Sequence, residues 1–254
     1  MSYFSKFPKT SYDFFDATKL STIPDLFRQV KLVERRLDNI SVYQKYFIIG
    51  SRPDQVSYEL YESPDFYWTF MLVNSNLRSA MNKWPLQDLV LGDFINEKYI
   101  GSTLTPHRLP GDANEFNSIA GEFAVGSTLV GSSSGATATI TARHPTLNQI
   151  VFTYDTSTEF LEGTDTFTAT STTGVVSQLL NTQYNIRTYP NSPHHYEDGN
   201  GVTIYNQDNL EISIGITTNT EYETEVNEGY KEIRVIKPQY IQSFSSEIRK
   251  LINE

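Results

Sequence analysis

The clearest hydrophobic pattern of the chain lies just after residue 40, where one predicted strand precedes two predicted short helices. Residues 42–49 are rich in aromatic and β-branched side chains and end at Gly50, as is typical of a strand that enters a turn. Pro53 then opens a helix with apolar residues at helical spacing, and Pro64 ends it and starts a second helix. The pattern therefore predicts two helices packed by their apolar sides on one strand.

The predicted core of this unit combines apolar residues with the two residues that shape its turns. These residues are Tyr46, Ile48, Gly50, Pro53, Leu60, Tyr61, Trp68 and Leu72. Trp68 lies one turn before Leu72 on the second helix, so we expect its ring to cover the strand.

The first residues of the chain are predicted to form an extended arm, followed by a helix over residues 25–39 with apolar residues at helical spacing. The arm carries aromatic residues without a clear period: Tyr3, Phe4, Phe7, Tyr12, Phe14 and Phe15. Such a segment cannot build its own core. We expect it to lie on another surface, which is either this protein's own domain or a neighbouring subunit.

The middle of the chain differs in character, because Thr, Ser, Gly and Val dominate it. Short runs at 136–141, 149–154, 166–170 and 175–180 alternate with turn residues, which predicts a small antiparallel β module. Four parts follow from these patterns: an arm and helix (1–40), the strand-helix-helix unit with a helical extension (41–110), an inserted β module (111–183) and a return to the scaffold (184–254).

The last part predicts a hairpin, a strand and a terminal helix. Residues 210–216 alternate strictly and are expected to pair with residues 202–205 across a turn at 206–209. A strand over residues 231–236 precedes an amphipathic helix that begins at Pro238. The predicted fold class is therefore α+β. Phe244 and Ile248 lie on the apolar face of the terminal helix, and with Tyr3, Phe4, Phe7, Phe14 and Phe15 they form the candidate partner interface.

An ordered set of short motifs extends this interpretation. The motifs are Gly50-Ser51-Arg52-Pro53, Leu60-Tyr61-Glu62-Ser63-Pro64, Tyr67-Trp68, Asn74, Trp84-Pro85-Leu86, Glu97-Lys98-Tyr99, Tyr222-Glu223, Asn227-Glu228 and Arg234-Val235-Ile236-Lys237-Pro238. Their succession resembles the baseplate wedge proteins of T-even-like contractile-tailed bacteriophages, the small wedge subunits built around a LysM-like domain. The resemblance covers residues 20–110 and 185–254 and leaves out the middle.

This resemblance implies a structural subunit that joins neighbouring wedge proteins around the hub of a contractile tail. The implied partners are other baseplate wedge and tail proteins in a six-fold assembly, put together in the host cytoplasm and carried in the virion. No enzymatic activity, cofactor or metal is expected. The alternative is a carbohydrate-binding module protein for peptidoglycan or cell-surface glycan, which would need exposed aromatic side chains with convergent polar groups.

Composition narrows the classes of partner. The chain has no cysteine, which excludes disulfides, thiolate metal sites and a cysteine nucleophile. Its formal net charge of -10 opposes nonspecific binding to nucleic acid or to anionic lipid. No stretch approaches the roughly 20 apolar residues of a membrane helix, and the N-terminus does not resemble a secretory signal.

Three patterns raise the question of catalysis or metal binding. Residues 131–135 match the Gly-x-Ser-x-Gly nucleophile elbow, but the run that follows favours a strand, so a hairpin turn is expected. His194 and His195 are adjacent, and neighbours in an extended chain point to opposite sides, so a loop is expected rather than a metal site. The acidic run from Glu221 to Glu228 is interpreted as a solvated face.

Overall fold

The computed structural model describes residues 8–13, 20–25, 41–78, 83–106, 123–180, 184–204 and 215–253. The chain divides into two compact units. The terminal unit combines Met1–Asp88 with Val226–Glu254, and the central unit is the continuous segment Leu89–Glu225. The chain thus returns to its first unit at residue 226, whereas the sequence placed this return at residue 184.

The described elements comprise helices together with antiparallel strands, and a run of ten strands follows the first helices, which confirms an α+β fold. In chain order they are β1 (Lys9–Asp13), β2 (Leu20–Pro24), β3 (Tyr43–Phe47), α1 (Pro53–Tyr61), α2 (Trp68–Val73), α3 (Ser75–Arg78), α4 (Asp88–Lys98), β4 (Ser102–Pro106), β5 (Thr128–Gly131), β6 (Thr137–His144), β7 (Gln149–Tyr154), β8 (Phe167–Thr170), β9 (Val176–Leu179), β10 (Tyr184–Thr188), β11 (Pro193–Glu197), β12 (Thr203–Ile204), β13 (Gly215–Thr218), α5 (Asn219–Gly229), β14 (Glu232–Ile236) and α6 (Ile241–Asn253). Short 3₁₀ turns cover Pro64–Phe66, Pro145–Leu147, Tyr189–Asn191 and Pro238–Tyr240.

The terminal unit is built on a two-stranded antiparallel sheet, in which β3 pairs with β14. Tyr43 lies opposite Ile236, and Phe47 lies opposite Glu232. Apolar residues from both strands and from the helices between them form one buried cluster: Ile48, Val56, Phe70, Leu77, Trp84, Ile233 and Val235. The expected strand and helices are therefore present, and the sequence patterns did not predict the second strand as their partner.

Local signals explain the two short helices. Pro53 is the first residue of α1, and the Arg52 backbone N–H donates to the Gln55 side-chain oxygen at 2.9 Å. Ser57 is fully buried, and its hydroxyl donates to the Ser63 carbonyl at 2.7 Å and accepts from the Phe66 backbone N–H at 3.2 Å. This hydroxyl fixes the turn between α1 and α2, because it supplies partners for backbone groups that neither helix satisfies.

The central unit contains a seven-stranded antiparallel sheet with the strand order β10-β4-β7-β6-β5-β8-β9. The predicted runs at 136–141, 149–154, 166–170 and 175–180 fall on β6, β7, β8 and β9. The sheet also takes in β4 and β10, which lie outside the predicted β module. Aromatic rings line its core, with Phe160 and Phe167 centred 4.9 Å apart and Phe167 and Tyr184 centred 5.0 Å apart.

A second, three-stranded sheet in the central unit contains the described parts of the predicted C-terminal hairpin. Strand β11 lies between β12 and β13, so the strand at 203–204 pairs with residues 196–197. The predicted turn at 206–209 and most of the predicted strand at 210–216 lie outside the described residues. Within that predicted strand, Ile216 belongs to β13 and is 47% exposed.

Helix α4 forms the helical extension expected after the strand-helix-helix unit. Its residues Leu91 and Ile95 are buried, whereas Leu89 and Phe94 are 86% and 40% exposed. The helix is followed by Gly101, which has a φ of +102°. A Cβ atom at this position would lie 2.4 Å from the Phe152 carbonyl oxygen, so only glycine allows the turn into β4.

The predicted N-terminal arm contains a hairpin. Strands β1 and β2 pair antiparallel, with Lys9 opposite Pro24 and Asp13 opposite Leu20. The arm aromatics Tyr3, Phe4, Phe7, Phe14 and Phe15 lie outside the described residues, as does the helix predicted over residues 25–39 apart from Asp25.

Candidate functional site

The side chain of Trp68 does not cover strand β3, contrary to the expectation from its spacing. It is 7% exposed and packs with Ile248 and Ile252 of the terminal helix α6. Leu72, which lies four residues later on the same side of α2, joins this cluster as a partly buried residue. Trp68 therefore attaches α6 to α2 and does not present an exposed aromatic ring of the kind that a glycan groove requires.

Phe70, which the sequence patterns did not single out, occupies the place expected for Trp68. Its side chain is fully buried between helix and sheet, and its ring is centred 6.1 Å from that of Tyr61 and 5.9 Å from that of Trp84. Trp84 donates its indole N–H to the Ser51 carbonyl at 2.8 Å. The signal for Phe70 was available in the spacing of Phe70 and Val73, which mark the second apolar face of this short helix.

The other predicted core residues of the terminal unit take the following places. Ile48 is fully buried, and Tyr46, Leu60 and Tyr61 are partly buried around it. The Tyr61 hydroxyl donates to the Ile236 carbonyl at 2.9 Å. The Tyr46 hydroxyl donates to a Glu59 oxygen at 2.7 Å, and burial together with this contact raises the pKa of Tyr46 to about 12. Gly50 has a φ of +66°, and Pro53 opens α1.

Asn74 connects the end of α2 to the distant strand β14. Its side-chain N–H groups donate to the Phe70 and Arg234 carbonyls, each at 2.8 Å, and its side-chain oxygen accepts from the Arg234 backbone N–H at 2.8 Å. One buried amide thus pairs with both backbone groups of Arg234, in the manner of a neighbouring strand.

Asn227 makes the same kind of contact at the other end of the terminal unit. Its side-chain oxygen accepts from the Leu86 backbone N–H at 2.7 Å, and its N–H donates to the Leu86 carbonyl at 3.1 Å. Asn227 is 5% exposed. The two asparagine side chains therefore link the N-terminal segment of the terminal unit to its C-terminal segment.

One side of the β3–β14 sheet carries exposed side chains. Along β3 and the residues after it, Tyr46 and Ile48 point inward, whereas Phe47 and Ile49 are 54% and 82% exposed. Beside them, the Lys45 ammonium contacts a Glu232 carboxylate oxygen at 2.6 Å. We call Lys45, Phe47, Ile49 and Glu232 the open sheet face.

The terminal helix does not offer the predicted interface residues to a partner. Ile248 is 3% exposed against Trp68, and Phe244 is partly buried in two clusters of the same unit. The amphipathic face of α6 is therefore used within the chain itself, because its apolar side covers α2.

The serine-rich loop at 131–135 joins β5 to β6 and is followed by a strand rather than a helix. The buried Asp165 carboxylate organises this loop. Its Oδ1 atom accepts from the Ser133 and Ser134 backbone N–H groups at 2.6 and 2.8 Å, and its Oδ2 atom accepts from the Leu161 N–H at 2.8 Å. Burial opposes ionisation of Asp165, but a hydrogen bond from the Ser134 side chain and these backbone hydrogen bonds outweigh it, so its pKa is lowered. The loop is a hairpin turn held by a carboxylate.

The two adjacent histidines lie closer together than an alternating strand would place them. The register of β11 shifts between Pro193 and His195, which breaks the alternation, and the two Nδ1 atoms are 2.9 Å apart. The His194 ring stacks on Tyr222 at 3.8 Å between centroids, and burial, with the adjacent His195, lowers the pKa of His194. Among the described residues, no group of three or more acidic or histidine side chains is placed to hold a metal ion.

The acidic run of α5 is not uniformly solvated, which corrects the sequence interpretation. Glu223 is 7% exposed, and its Oε1 atom accepts from the Lys98 ammonium at 2.6 Å and from the Tyr99 hydroxyl at 2.8 Å. Burial and the Glu223 carboxylate raise the pKa of Tyr99. These contacts fix the end of α4 against α5 within the central unit.

The family of base plate wedge protein 53 has a sequence model that matches residues 3–100. This match supports a phage baseplate wedge protein. No curated protein matches the chain significantly. No helix in the described part of the chain is long and apolar enough to cross a membrane.

The matched range contains most, but not all, of the terminal unit. It includes β3, α1, α2 and α3, while β14 and α6 lie beyond residue 100. The baseplate match therefore falls on the unit with the open sheet face, and the end of the chain supplies the strand that completes its sheet.

Proposed function

We propose that the protein is a non-enzymatic structural subunit of the baseplate wedge in a contractile phage tail, where it joins neighbouring wedge proteins around the hub. The family match over residues 3–100 carries this proposal. The subunit would be present in six-fold copy in the virion after assembly in the host cytoplasm. It would act without a cofactor or metal, and its partners would be other wedge and tail proteins rather than nucleic acid or membrane.

The terminal unit would serve this role as a LysM-like domain that binds protein. The order of strand, two helices and returning strand supports a LysM-like arrangement, with β3 and β14 as the paired strands. Tight closure by Asn74 and Asn227 supports a rigid unit, and a rigid surface loses little conformational entropy on binding.

The open sheet face is the described surface that fits a partner protein best. Phe47 and Ile49 expose apolar area beside the Lys45–Glu232 ion pair, and an apolar centre with a polar rim is typical of protein interfaces. The arm aromatics Tyr3, Phe4, Phe7, Phe14 and Phe15 remain a second proposed contact with a neighbouring subunit.

The test is incorporation of the protein into purified phage tails. The double variant Phe47→Asp with Ile49→Asp should fold like the wild type, because both side chains are exposed, but it should be depleted from tails by at least about tenfold, since it places two desolvated carboxylates in the interface. Tyr58→Asp is the matched control, because Tyr58 is 63% exposed on α1, outside the open sheet face. It should be incorporated normally.

Two results would contradict the proposal at different levels. Normal incorporation of the double variant would show that the open sheet face is not the interface. Absence of the wild-type protein from purified tails would rule out the baseplate role itself. Retention on peptidoglycan in a pull-down would instead favour the carbohydrate-binding alternative.

A further inference from the structure

The two outer edges of the β3–β14 sheet differ in how their backbone groups are satisfied. Next to one end of the paired residues, the Ile48 N–H donates to the Lys231 carbonyl at 2.9 Å. Next to the other end, the Lys237 N–H donates to the Val42 carbonyl, also at 2.9 Å. Along an antiparallel strand, successive residues direct their backbone groups to opposite sides, so the even-numbered residues of β3 face β14. The N–H and carbonyl groups on the outer edge of β3 belong to Tyr43, Lys45 and Phe47.

Side chains of the terminal unit close the outer edge of β14. The Asn74 side chain pairs with both the N–H and the carbonyl group of Arg234, each at 2.8 Å. Two positions further along β14, the Ile236 carbonyl accepts from the Tyr61 hydroxyl at 2.9 Å. Asn74 and Tyr61 thus occupy the places where a third strand would have to bind.

The outer edge of β3 is open by comparison. Within the described part of the chain, no hydrogen bond reaches the outward backbone groups of Tyr43, Lys45 and Phe47. An unpaired row of N–H and carbonyl groups can pair with a strand of another chain, and a lysine on the edge commonly prevents this. Here the Lys45 ammonium is paired with Glu232 at 2.6 Å, and the exposed Phe47 adds apolar area beside it. The edge therefore retains the groups that a third strand needs.

The charge of Lys45 decides between a second copy of this chain and a different protein. Lys45 is the middle residue of β3, so full antiparallel overlap of two copies places the two Lys45 side chains directly opposite each other. Like charges in that position destabilise a strand pair, whereas opposite charges stabilise it. A strand with an acidic residue opposite Lys45 and an apolar residue opposite Phe47 matches the edge in both respects. The occupant that fits this edge is therefore a strand of a different protein.

We propose that the outer edge of β3 binds an extended segment of another baseplate protein, which joins the sheet as a third, antiparallel strand. The segment carries an acidic residue opposite Lys45 and an apolar residue opposite Phe47. Main-chain hydrogen bonds supply the affinity of such strand addition, and the alternating side chains supply its specificity. The inference rests on the proposed function, because it names the kind of partner that meets the open sheet face.

The test compares the incorporation of three Lys45 variants into purified phage tails. Lys45→Pro removes the outward N–H at the middle of the edge, and it leaves the β3–β14 hydrogen bonds in place because that N–H points away from β14. We expect it to be depleted from tails by at least about tenfold. Lys45→Ala is the matched control, since it also loses the ammonium group but keeps the N–H, and it should be depleted by no more than about threefold. Lys45→Glu should be depleted more than Lys45→Ala, because it faces an acidic residue.

Hydrogen exchange of the free proteins shows whether Lys45→Pro keeps its sheet. The amides of Gln44 and Tyr46 face β14 and should exchange slowly with and without the substitution. The outward amides of Tyr43 and Phe47 should exchange rapidly in both proteins. A second measurement, on wild-type tails, decides the question if proline disrupts the sheet. There the amides of Tyr43, Lys45 and Phe47 should exchange slowly, because the added strand accepts their hydrogen bonds.

Five outcomes would overturn the inference. Normal incorporation of a folded Lys45→Pro, or equal depletion of Lys45→Pro and Lys45→Ala, would show that no strand adds at this edge. Rapid exchange of the outward amides in wild-type tails would show the same. Better incorporation of Lys45→Glu than of Lys45→Ala would exclude an acidic residue opposite Lys45. A wild-type dimer in solution that Lys45→Pro dissociates would assign the edge to a second copy. Depletion of the double variant Phe47→Asp with Ile49→Asp, together with normal incorporation of Lys45→Pro, would leave the baseplate role intact and refute strand addition alone.

Discussion

The β3–β14 sheet of the terminal unit and the β6–β7 hairpin of the central unit join residues over very different distances along the chain. In the terminal unit, the paired residues Lys45 and Glu232 are 187 positions apart. In the central unit, Thr139 on β6 contacts Asp155, just after β7, from only 16 positions away. Loop-closure entropy grows only with the logarithm of loop length, so a large segment can separate two strands at modest cost. The comparison indicates a scaffold that tolerates a long central segment.

The two units also stabilise their strands by different contacts. In the terminal unit, asparagine side chains hydrogen-bond to the backbone of distant residues, Asn74 to Arg234 and Asn227 to Leu86. In the central unit, aromatic side chains pack on one another, with the rings of Phe152, Phe160 and Phe167 in successive edge-to-face contacts. Amide contacts depend strictly on geometry, whereas apolar packing tolerates more change, so substitutions should act differently in the two units.

The largest effect is expected from two internal deletions, one of which divides the central unit while the other removes it whole. Removing residues 120–182 would delete β5 to β9 and leave β4 and β10 as remnants of the sheet, so the central unit should not fold. Replacing residues 89–225 by a short Gly/Ser linker should leave a folded terminal unit, because Leu86 and Asn227 are directly hydrogen-bonded. Hydrogen exchange of both proteins would test this difference, with slow exchange expected in β3 and β14 of each and fast exchange in β4 and β10 of the first. Slow exchange in β4 and β10 of the first protein would contradict it.

The second effect separates two aromatic residues of α2. Phe70→Ala should destabilise the terminal unit by about 3–5 kcal/mol, because it opens a cavity between helices and sheet. Trp68→Ala should act mainly on α6, which it attaches. Hydrogen exchange would show faster exchange in β3 and β14 for the first variant and in α6 for the second. Phe47→Ala serves as the exposed control, and equal exchange patterns for Phe70→Ala and Trp68→Ala would refute the distinction.

The sequence predicted four strands of the central sheet because each has a partner close to it in the chain, whereas β4 and β10, whose residues Thr103 and Arg187 pair across 84 positions, were missed. Alternation and turn residues located β6, β7, β8 and β9, whose hairpins close locally. The pairing of β3 with β14 carries no local signal, since nothing in residues 42–49 specifies a partner so far away. For the same reason the buried side of α2 was assigned to Trp68: a six-residue helix has two apolar faces, and only the positions of the sheet and of α6 decide which residue meets which.

The candidate sites show the same limit. The motif residues Asn74, Leu86, Asn227 and Arg234 were visible as a series, but their pairing into two contacts was not. Glu223 looked solvated among other acidic residues, and only the arrival of Lys98 and Tyr99 from α4 makes it a buried partner. Contacts between side chains that are far apart in the sequence are therefore not predicted by pattern analysis, because hydrophobic periodicity describes only the helix or strand in which it occurs.

A smaller effect is expected from the amide contact. Asn74→Ala removes three hydrogen bonds of a buried amide and takes this partner from both backbone groups of Arg234, so we expect a loss of about 2–3 kcal/mol in the free energy of unfolding of the terminal unit. Asn76→Ala, two positions further on at an exposed site, should change it little. Urea denaturation of both variants provides the measurement, and equal stability would mean that water replaces the amide.

The smallest effect, and the one that depends on pH, is expected in the central unit at Asp165. The pKa of Asp165 is lowered in the folded protein, so the carboxylate contributes stability that is present above its unfolded pKa of about 3.9 and is lost as pH falls through the folded value. Asp165→Asn places an N–H group against a backbone N–H and should cost about 1–2 kcal/mol near pH 7. The variant should therefore be less sensitive to acid than the wild type below about pH 4. Thermal melting of the wild type, Asp165→Asn and the exposed control Glu162→Gln across this range tests the sign. Parallel pH profiles for the wild type and Asp165→Asn would show that the loop at 131–135 does not depend on the charge of this carboxylate.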